Sequence, residues 1–175
     1  MIFTETRLKG AFVIEVQKLE DERGFFGRTW CAREMTEQGL NAELRQGNTS
    51  MNFRKGTLRG MHFQRAPYQE TKLVRVTRGS IYDVIIDLRT DSPTYLKWFG
   101  TELSADNYRM LYVPEDFAHG FLTLEDHSEV HYLITEFYVP GAGNGIRWND
   151  PAVGIEWPSE PAVISERDRT YPDYR

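Results

Sequence analysis

An all-β fold built from antiparallel sheets, as a sandwich, barrel or jelly roll, is what this sequence predicts. Three observations predict it. Short runs rich in β-branched and aromatic residues recur along the chain, turn-type clusters separate most of them, and helical periodicity is confined to one short stretch. The length, 175 residues, suits one domain spanning 1–175 with a hydrophobic core.

In chain order the strand-like runs are AFVIEV (11–16), FFGRTW (25–30), LVRVTRG (73–79), SIYDVIIDL (80–88), RMLYVP (109–114), HGFLTL (119–124) and EVHYLITEFY (129–138). Such side chains fit a pleated, half-buried surface. The breaks come from RKG at 54–56, TDSP at 90–93, LEDHS at 124–128 and VPGAGNG at 139–145. CAREMTEQGL (31–40) reads as a helix closed by Gly39. A further short turn starts at Ser104 over SADN. There is no internal repeat, low-complexity tract or linker.

Charge and composition exclude several classes. The net charge of −5 argues against a nucleic-acid binder, which is usually basic, yet a local arginine cluster can still hold a phosphate. No apolar run approaches the ~20 residues of a membrane helix. MIFTETRLKG at the start lacks the apolar core of a secretory signal, so a cytoplasmic location is expected. Cys31, the single cysteine, has no internal disulfide partner and reads as an inert thiol.

Period-2 geometry puts Gln46, Asn48 and Ser50 on one face of a strand, and Tyr132, Ile134, Glu136 and Tyr138 on one face of another. Polar residues of this kind form either a pocket wall or the solvated face of a sheet. QGNTSMNFRKGTLRGMHFQ (46–64) is the densest segment, with Arg59 and His62 beside Gly56 and Gly60. A bulge near Gly60 would let Arg59 and His62 face one cavity despite their odd spacing. Lys72 enters an apolar strand, where a solvated edge position is the plain reading. His119, in VPEDFAHGF (113–121), reads as a satisfied buried histidine. ISERDRTYPDY (164–174) reads as a solvated tail, unless one of its acids orients a histidine by fixing its tautomer. A metal site would need His62, His119 and Glu70 together. The close histidine pair of metal-binding cupins is interrupted here, as His62-Phe63-Gln64, which leaves a weak ligand set.

Taken together the segments resemble the dTDP-4-dehydrorhamnose 3,5-epimerase family. DERGFF (21–26), Gln46-x-Asn48-x-Ser50, GTLRGMHFQ (56–64), ETKLVRV (70–76), GSIYDVIIDLRTDSPTY (79–95), VPEDFAHGF (113–121), Tyr132, Tyr138, GIRWNDP (145–151), IEWP (155–158) and SERD (165–168) occur in family order over nearly the whole chain. The resemblance implies a cupin-type double-sheet jelly-roll barrel with a few short helices. It also implies a homodimer, no metal or organic cofactor, and a nucleotide-diphosphate sugar as substrate. It assigns His62 as base, Asp168 as its paired acid, Tyr132 as proton donor and Lys72 as the residue near the ketone oxygen. Arg59, Arg23 and Arg167 fall at pyrophosphate positions; Phe26, Gln46, Asn48 and Tyr138 surround the nucleotide and sugar; His119 and Asp83 support the base. Arg28 stands where the family commonly has glutamate, and Leu133 where lysine is common.

The implied chemistry explains the residue types. A proton beside a ketone needs a base near neutral pKa and a stabilised enolate oxygen. Inversion needs reprotonation from the opposite face, hence a second acid. The implied reaction is epimerisation at C3, C5 or both of a nucleotide-linked 4-keto 6-deoxy sugar, foremost dTDP-4-dehydro-6-deoxyglucose to dTDP-4-dehydrorhamnose. The other readings are inversion of one carbon on another nucleotide-linked hexose or heptose, a metal-dependent cupin enzyme, and a non-catalytic sugar-nucleotide binding protein.

Overall fold

Fourteen strands and two short helices make up the described residues, 1–174, of the computed structural model. They are β1 (Ile2–Glu5), β2 (Phe12–Glu15), β3 (Leu19–Asp21), β4 (Gly24–Phe26), α1 (Ala32–Glu37), β5 (Gln46–Asn52), β6 (Thr57–Gln64), β7 (Lys72–Arg78), β8 (Ser80–Asp87), β9 (Trp98–Ser104), β10 (Arg109–Val113), β11 (Phe117–Thr123), β12 (Ser128–Ile134), β13 (Gly143–Gly145), β14 (Val163–Ile164) and α2 (Glu166–Arg169). One six-stranded sheet runs β1-β2-β10-β7-β12-β5, and the other runs β13-β6-β11-β8-β9 with β14 also on β6. This is the expected all-β, cupin-type double-sheet barrel.

The core lies between the sheets. Val74, Val76, Leu111 and Val130 of the first sheet meet Ile81, Ile85, Leu103 and Phe121 of the second. Strand β8 is apolar on both faces because both are covered. Ile81 and Ile85 point into the barrel, while Val84 and Ile86 pack with Met61, Ala118 and Ile146 beneath the C-terminal segment. The outer face of the first sheet is closed by α1, whose Met35 is 1% exposed and packs on Ile14, Leu73 and Met110. Gly39 follows α1 with φ of +72°, as its place at the helix end predicts.

Several expected boundaries move. FFGRTW is a strand only at Phe25 and Phe26, the end of β4, paired in a hairpin with β3; residues 27–30 have no strand to pair with, and Arg28 turns to Glu34 at the start of α1. The last long run stops at Ile134, opposite the first residue of β5, and Thr135 then binds Thr71 instead. Tyr138 therefore does not share a strand face with Tyr132. The tail at 164–174 contains β14 and α2 rather than solvated coil. Strands β1, β3, β5, β6, β9, β13 and β14 lie outside the seven strand-like runs. The turn at Ser104 is present, with Ser104 and Asn107 exchanging hydrogen bonds at 3.1 and 3.0 Å.

One local feature sets the site. His119 of β11 opposes His62 of β6, and Phe121 opposes Arg59. Two residues of β6, Gly60 and Met61, therefore face the single residue Gly120. This bulge turns Arg59 and His62, three apart, to the same face. It requires glycine: Gly60 has φ of +138°, and a Cβ there would lie 2.5 Å from the Gly120 Cα. Gly60→Ala should cost about 2–4 kcal/mol of stability by urea denaturation. Gly39→Ala, also at positive φ (+72°) but with nothing within 4 Å, should cost only about 1 kcal/mol.

Candidate active site

A cavity of about 580 Å³ opens between the two sheets. Ser50, Lys72 and Tyr132 line it from the first sheet, and Arg59, His62, His119 and Phe121 from the second; β14 and α2 close one side with Ile164, Arg167 and Asp168. Cross-strand register explains the first wall, since Tyr132 lies between Asn48 and Val74.

His62 Nε2 is 2.7 Å from Asp168 Oδ1. The other oxygen of Asp168 accepts the Gly60 N–H at 3.3 Å. Helix α2 is a single turn begun by Ser165, whose hydroxyl accepts from the Asp168 N–H at 3.1 Å. That cap aims a carboxylate that is 4% exposed. The Nδ1 of His62 has no protein partner among the described residues, so it is the nitrogen open to a ligand. A second pair adjoins the first: His119 Nε2 is 2.7 Å from Asp83 Oδ1, both residues buried.

Lys72 corrects an expectation. It is 7% exposed and sits on β7, flanked on both sides by β10 and β12, so it is not a solvated edge residue. Its Nζ pairs with Glu70 at 2.9 Å and donates to the His62 carbonyl at 3.4 Å. Glu70 also accepts from Gln64 at 3.1 Å. Glu70 is thus engaged by Lys72, and among the described residues no three His, Cys, Asp or Glu side chains converge as metal ligands. Burial, the largest influence, pushes the Tyr132 phenol above its ordinary value of 10; Arg59 opposes this and Glu70 adds to it. Arg59 Nε donates to Asn52 Oδ1 at 2.7 Å, and Arg167 Nε to the Tyr171 hydroxyl at 2.6 Å.

The structure therefore gathers His62, Tyr132, Lys72, Asp168, Arg59, His119 and Arg167 at one cavity. Gln46 and Asn48 share the Ser50 side of β5 but lie beyond the cavity lining, and Gln46 accepts from the Tyr138 N–H at 2.5 Å. Tyr138 is exposed past the end of β12. Arg23 and Phe26 are not at this cavity: Arg23 pairs with Asp21 on the exposed hairpin, and Phe26, 73% exposed, borders a separate depression with Met1 and Arg28. Cys31 also lies elsewhere, half-buried before α1. Leu133 packs on the outer side of the first sheet. Sequence reasoning missed Asn52, Ser165 and Tyr171, and considered Glu70 only as a metal ligand, whereas it pairs with Lys72. Of these, Asn52 carried a signal, having the same parity as Gln46, Asn48 and Ser50.

A family model described as dTDP-4-dehydrorhamnose 3,5-epimerase matches residues 5–175. The dTDP-4-dehydrorhamnose 3,5-epimerase of Methanothermobacter thermautotrophicus is 48% identical, over 99% of this chain and 94% of its own. Among solved structures, that of the Bacillus anthracis dTDP-4-dehydrorhamnose 3,5-epimerase with TDP and PPi bound is similar at a TM-score of 0.93 and 42% identity, covering 98% of each chain. The Legionella pneumophila dTDP-6-deoxy-D-glucose-3,5-epimerase in complex with dTDP-4-keto-L-rhamnose is similar at a TM-score of 0.88 and 36% identity, covering 95% of this chain and 89% of its own.

Burial alone would raise the Asp168 carboxyl, but the hydrogen bond and charge of His62, with Gly60 and Ser165, together hold it below its ordinary 3.8. A carboxyl lowered on folding stabilises the protein above its unfolded pKa, and that stability is lost as pH falls through the folded one. Asp168→Asn should therefore flatten the acid side of the stability profile and cost about 1–3 kcal/mol at neutral pH. Urea denaturation between about pH 3 and 7 measures both effects.

Proposed function

The chain belongs to the dTDP-4-dehydrorhamnose 3,5-epimerase family, and from that premise we propose that it inverts C3 and C5 of dTDP-4-dehydro-6-deoxyglucose to give dTDP-4-dehydrorhamnose. The observation that carries this reading is the placement of the His62–Asp168 pair and Tyr132 on opposite sheets of one cavity.

His62, held through Nε2 by Asp168, takes the proton beside the ketone at Nδ1. The C–H electron pair moves into an enolate. Lys72, with two of its three protons committed to Glu70 and the His62 carbonyl, directs the third and its charge to the enolate oxygen. Tyr132, on the opposite wall, returns a proton to the other face of the ring. Arg59 and Arg167 hold the diphosphate, so that binding energy positions the sugar. His119, backed by Asp83, adds a polar wall beside the base.

The active form we infer is a cytoplasmic homodimer. One observation supports the dimer: Arg23 and Phe26, expected at the substrate, lie on an exposed hairpin that does not line this chain's own cavity. They serve the cavity of a second copy, along with Gln46, Asn48 and Tyr138 at the nucleotide end.

In deuterated water, wild-type protein should place label at C3 and C5 of the 4-keto sugar. Absence of exchange across a panel of nucleotide-linked 4-keto sugars would sink the reading. His62→Ala should abolish exchange at both carbons, a loss of about 10²–10⁴-fold or more. Tyr132→Phe should reduce net inversion more than exchange; equal loss argues against an opposite-face donor. Because burial raises the Tyr132 phenol above its ordinary 10, any alkaline fall in inversion from this group should have its midpoint above that pH. For the dimer, mixing inactive His62→Ala with Arg23→Ala chains should recover activity in hybrids, which contain one complete site. No recovery counts against sharing between subunits.

A further inference from the structure

Acids hold most of the restrained arginines outside the cavity, Arg7 excepted, which donates to the Trp98 carbonyl. Outside the cavity, Arg23, Arg28, Arg45, Arg89, Arg109 and Arg147 each pair with an aspartate or glutamate. Arg59 and Arg167, the two arginines lining the cavity, differ. Their side-chain partners are neutral, Asn52 Oδ1 and the Tyr171 hydroxyl, and both are held through Nε alone. Neither forms an ion pair among the described residues.

Both holders are themselves fixed. Asn52 is 2% exposed, and its amide donates to the Ser50 and Ser128 carbonyls at 3.2 and 3.1 Å. That pattern orients Oδ1 toward Arg59. The Tyr171 ring rests on Gly145, where a Cβ would lie 2.3 Å from it. The Tyr171 carbonyl accepts from Arg147 at 3.5 Å. The ring also stands edge-on to His62, with centroids 6.4 Å apart.

We propose that Asn52 and Tyr171 are positioning residues that fix the Arg59 and Arg167 forks for a diphosphate without cancelling their charge. A carboxylate would hold a guanidinium as firmly, but it would neutralise the site before the ligand arrived. A neutral acceptor at Nε removes the rotational freedom of the fork and leaves both terminal amino groups for phosphate oxygens. The inference rests on the proposed function for the identity of the ligand. It goes beyond that reading in assigning two residues that touch no substrate.

The test uses the full chain, calorimetry with dTDP and with inorganic pyrophosphate, and steady-state kinetics with the 4-keto sugar. Tyr171→Phe should weaken both ligands by about tenfold. KM should rise in step while kcat and its pH profile stay in place. A merely structural role would disturb both of the latter, because α2 also carries Asp168. On an Arg167→Ala background the same change should have no further effect. Asn52→Asp keeps the shape and adds a charge, so it should weaken both ligands more, and less so at high salt. Should that variant fail to fold, the Tyr171 cycle decides alone. Wild-type affinity in Tyr171→Phe, or an equal loss on the Arg167→Ala background, overturns the proposal. Binding of dTDP by wild-type protein without any exchange overturns the proposed reaction instead; no binding of either ligand overturns both.

Discussion

Where β6 crosses β11 the two backbones touch, and much of the site follows from that contact. Gly60 and Gly120 approach so closely that neither tolerates a Cβ: one on Gly120 would meet the Arg59 carbonyl and the Met61 sulfur at 2.7 Å. The extra residue on β6 turns Arg59 and His62 to one face. It also frees the Gly60 N–H from the sheet ladder. A buried N–H needs an acceptor, and the acceptor here is Asp168, which also binds His62. One backbone irregularity thus selects which side chains face the cavity and anchors the Asp168 carboxylate that holds the His62 ring.

The buried carboxylates and Lys72 of the polar cavity are tolerable because they are paired, while Arg59 and Arg167 keep neutral partners. Desolvating an unpaired charge is costly, and the two His–Asp pairs and the Lys72–Glu70 pair avoid that cost. Around these pairs the barrel is ordinary. Ile81 and Ile85 flank Asp83 along the inner face of β8, and Val74 and Val76 continue the Lys72 face of β7. The C-terminal segment does double duty: Trp157 and Tyr174 cover the outer face of the second sheet, and α2 brings Asp168 to His62.

What the sequence made legible tracks how local each signal is. Strand β8 was readable because an apolar run covered on both sides contains its own evidence. The bulge was readable because Gly60 sits between two residues whose spacing otherwise sends them apart. Lys72 was misread because strand position in a sheet is a long-range property; nothing near residue 72 says that β10 and β12 flank it. The hairpin of Arg23 and Phe26 posed the same problem on a larger scale, since no local pattern says which cavity a side chain serves. Asp168 was placed by resemblance. Its burial depends on a one-turn helix too short to show periodicity, signalled only by Ser165 three residues before it. Tyr171 depends on the absent side chain of Gly145, a complementarity that neither segment reveals alone.

The separation of acid from base follows from where the two groups sit. His62 meets a carboxylate that its own hydrogen bond helps to keep ionised, and this fixes the ring through Nε2 and leaves Nδ1 facing away from Asp168. Tyr132 has no carboxylate partner; burial keeps its phenol protonated despite the pull of Arg59. In the proposed reaction one wall accepts a proton while the other retains one to give, as catalysis of inversion requires. Reversing either environment would remove the distinction. Charge toward Tyr132 from an arginine not held in place would lower the phenol and blunt the donor, whereas loss of Asp168 would leave the imidazole free to turn. In the proposed reaction the neutral restraint on Arg59 by Asn52 acts on both functions at once, keeping its charge available for a diphosphate and fixed relative to Tyr132.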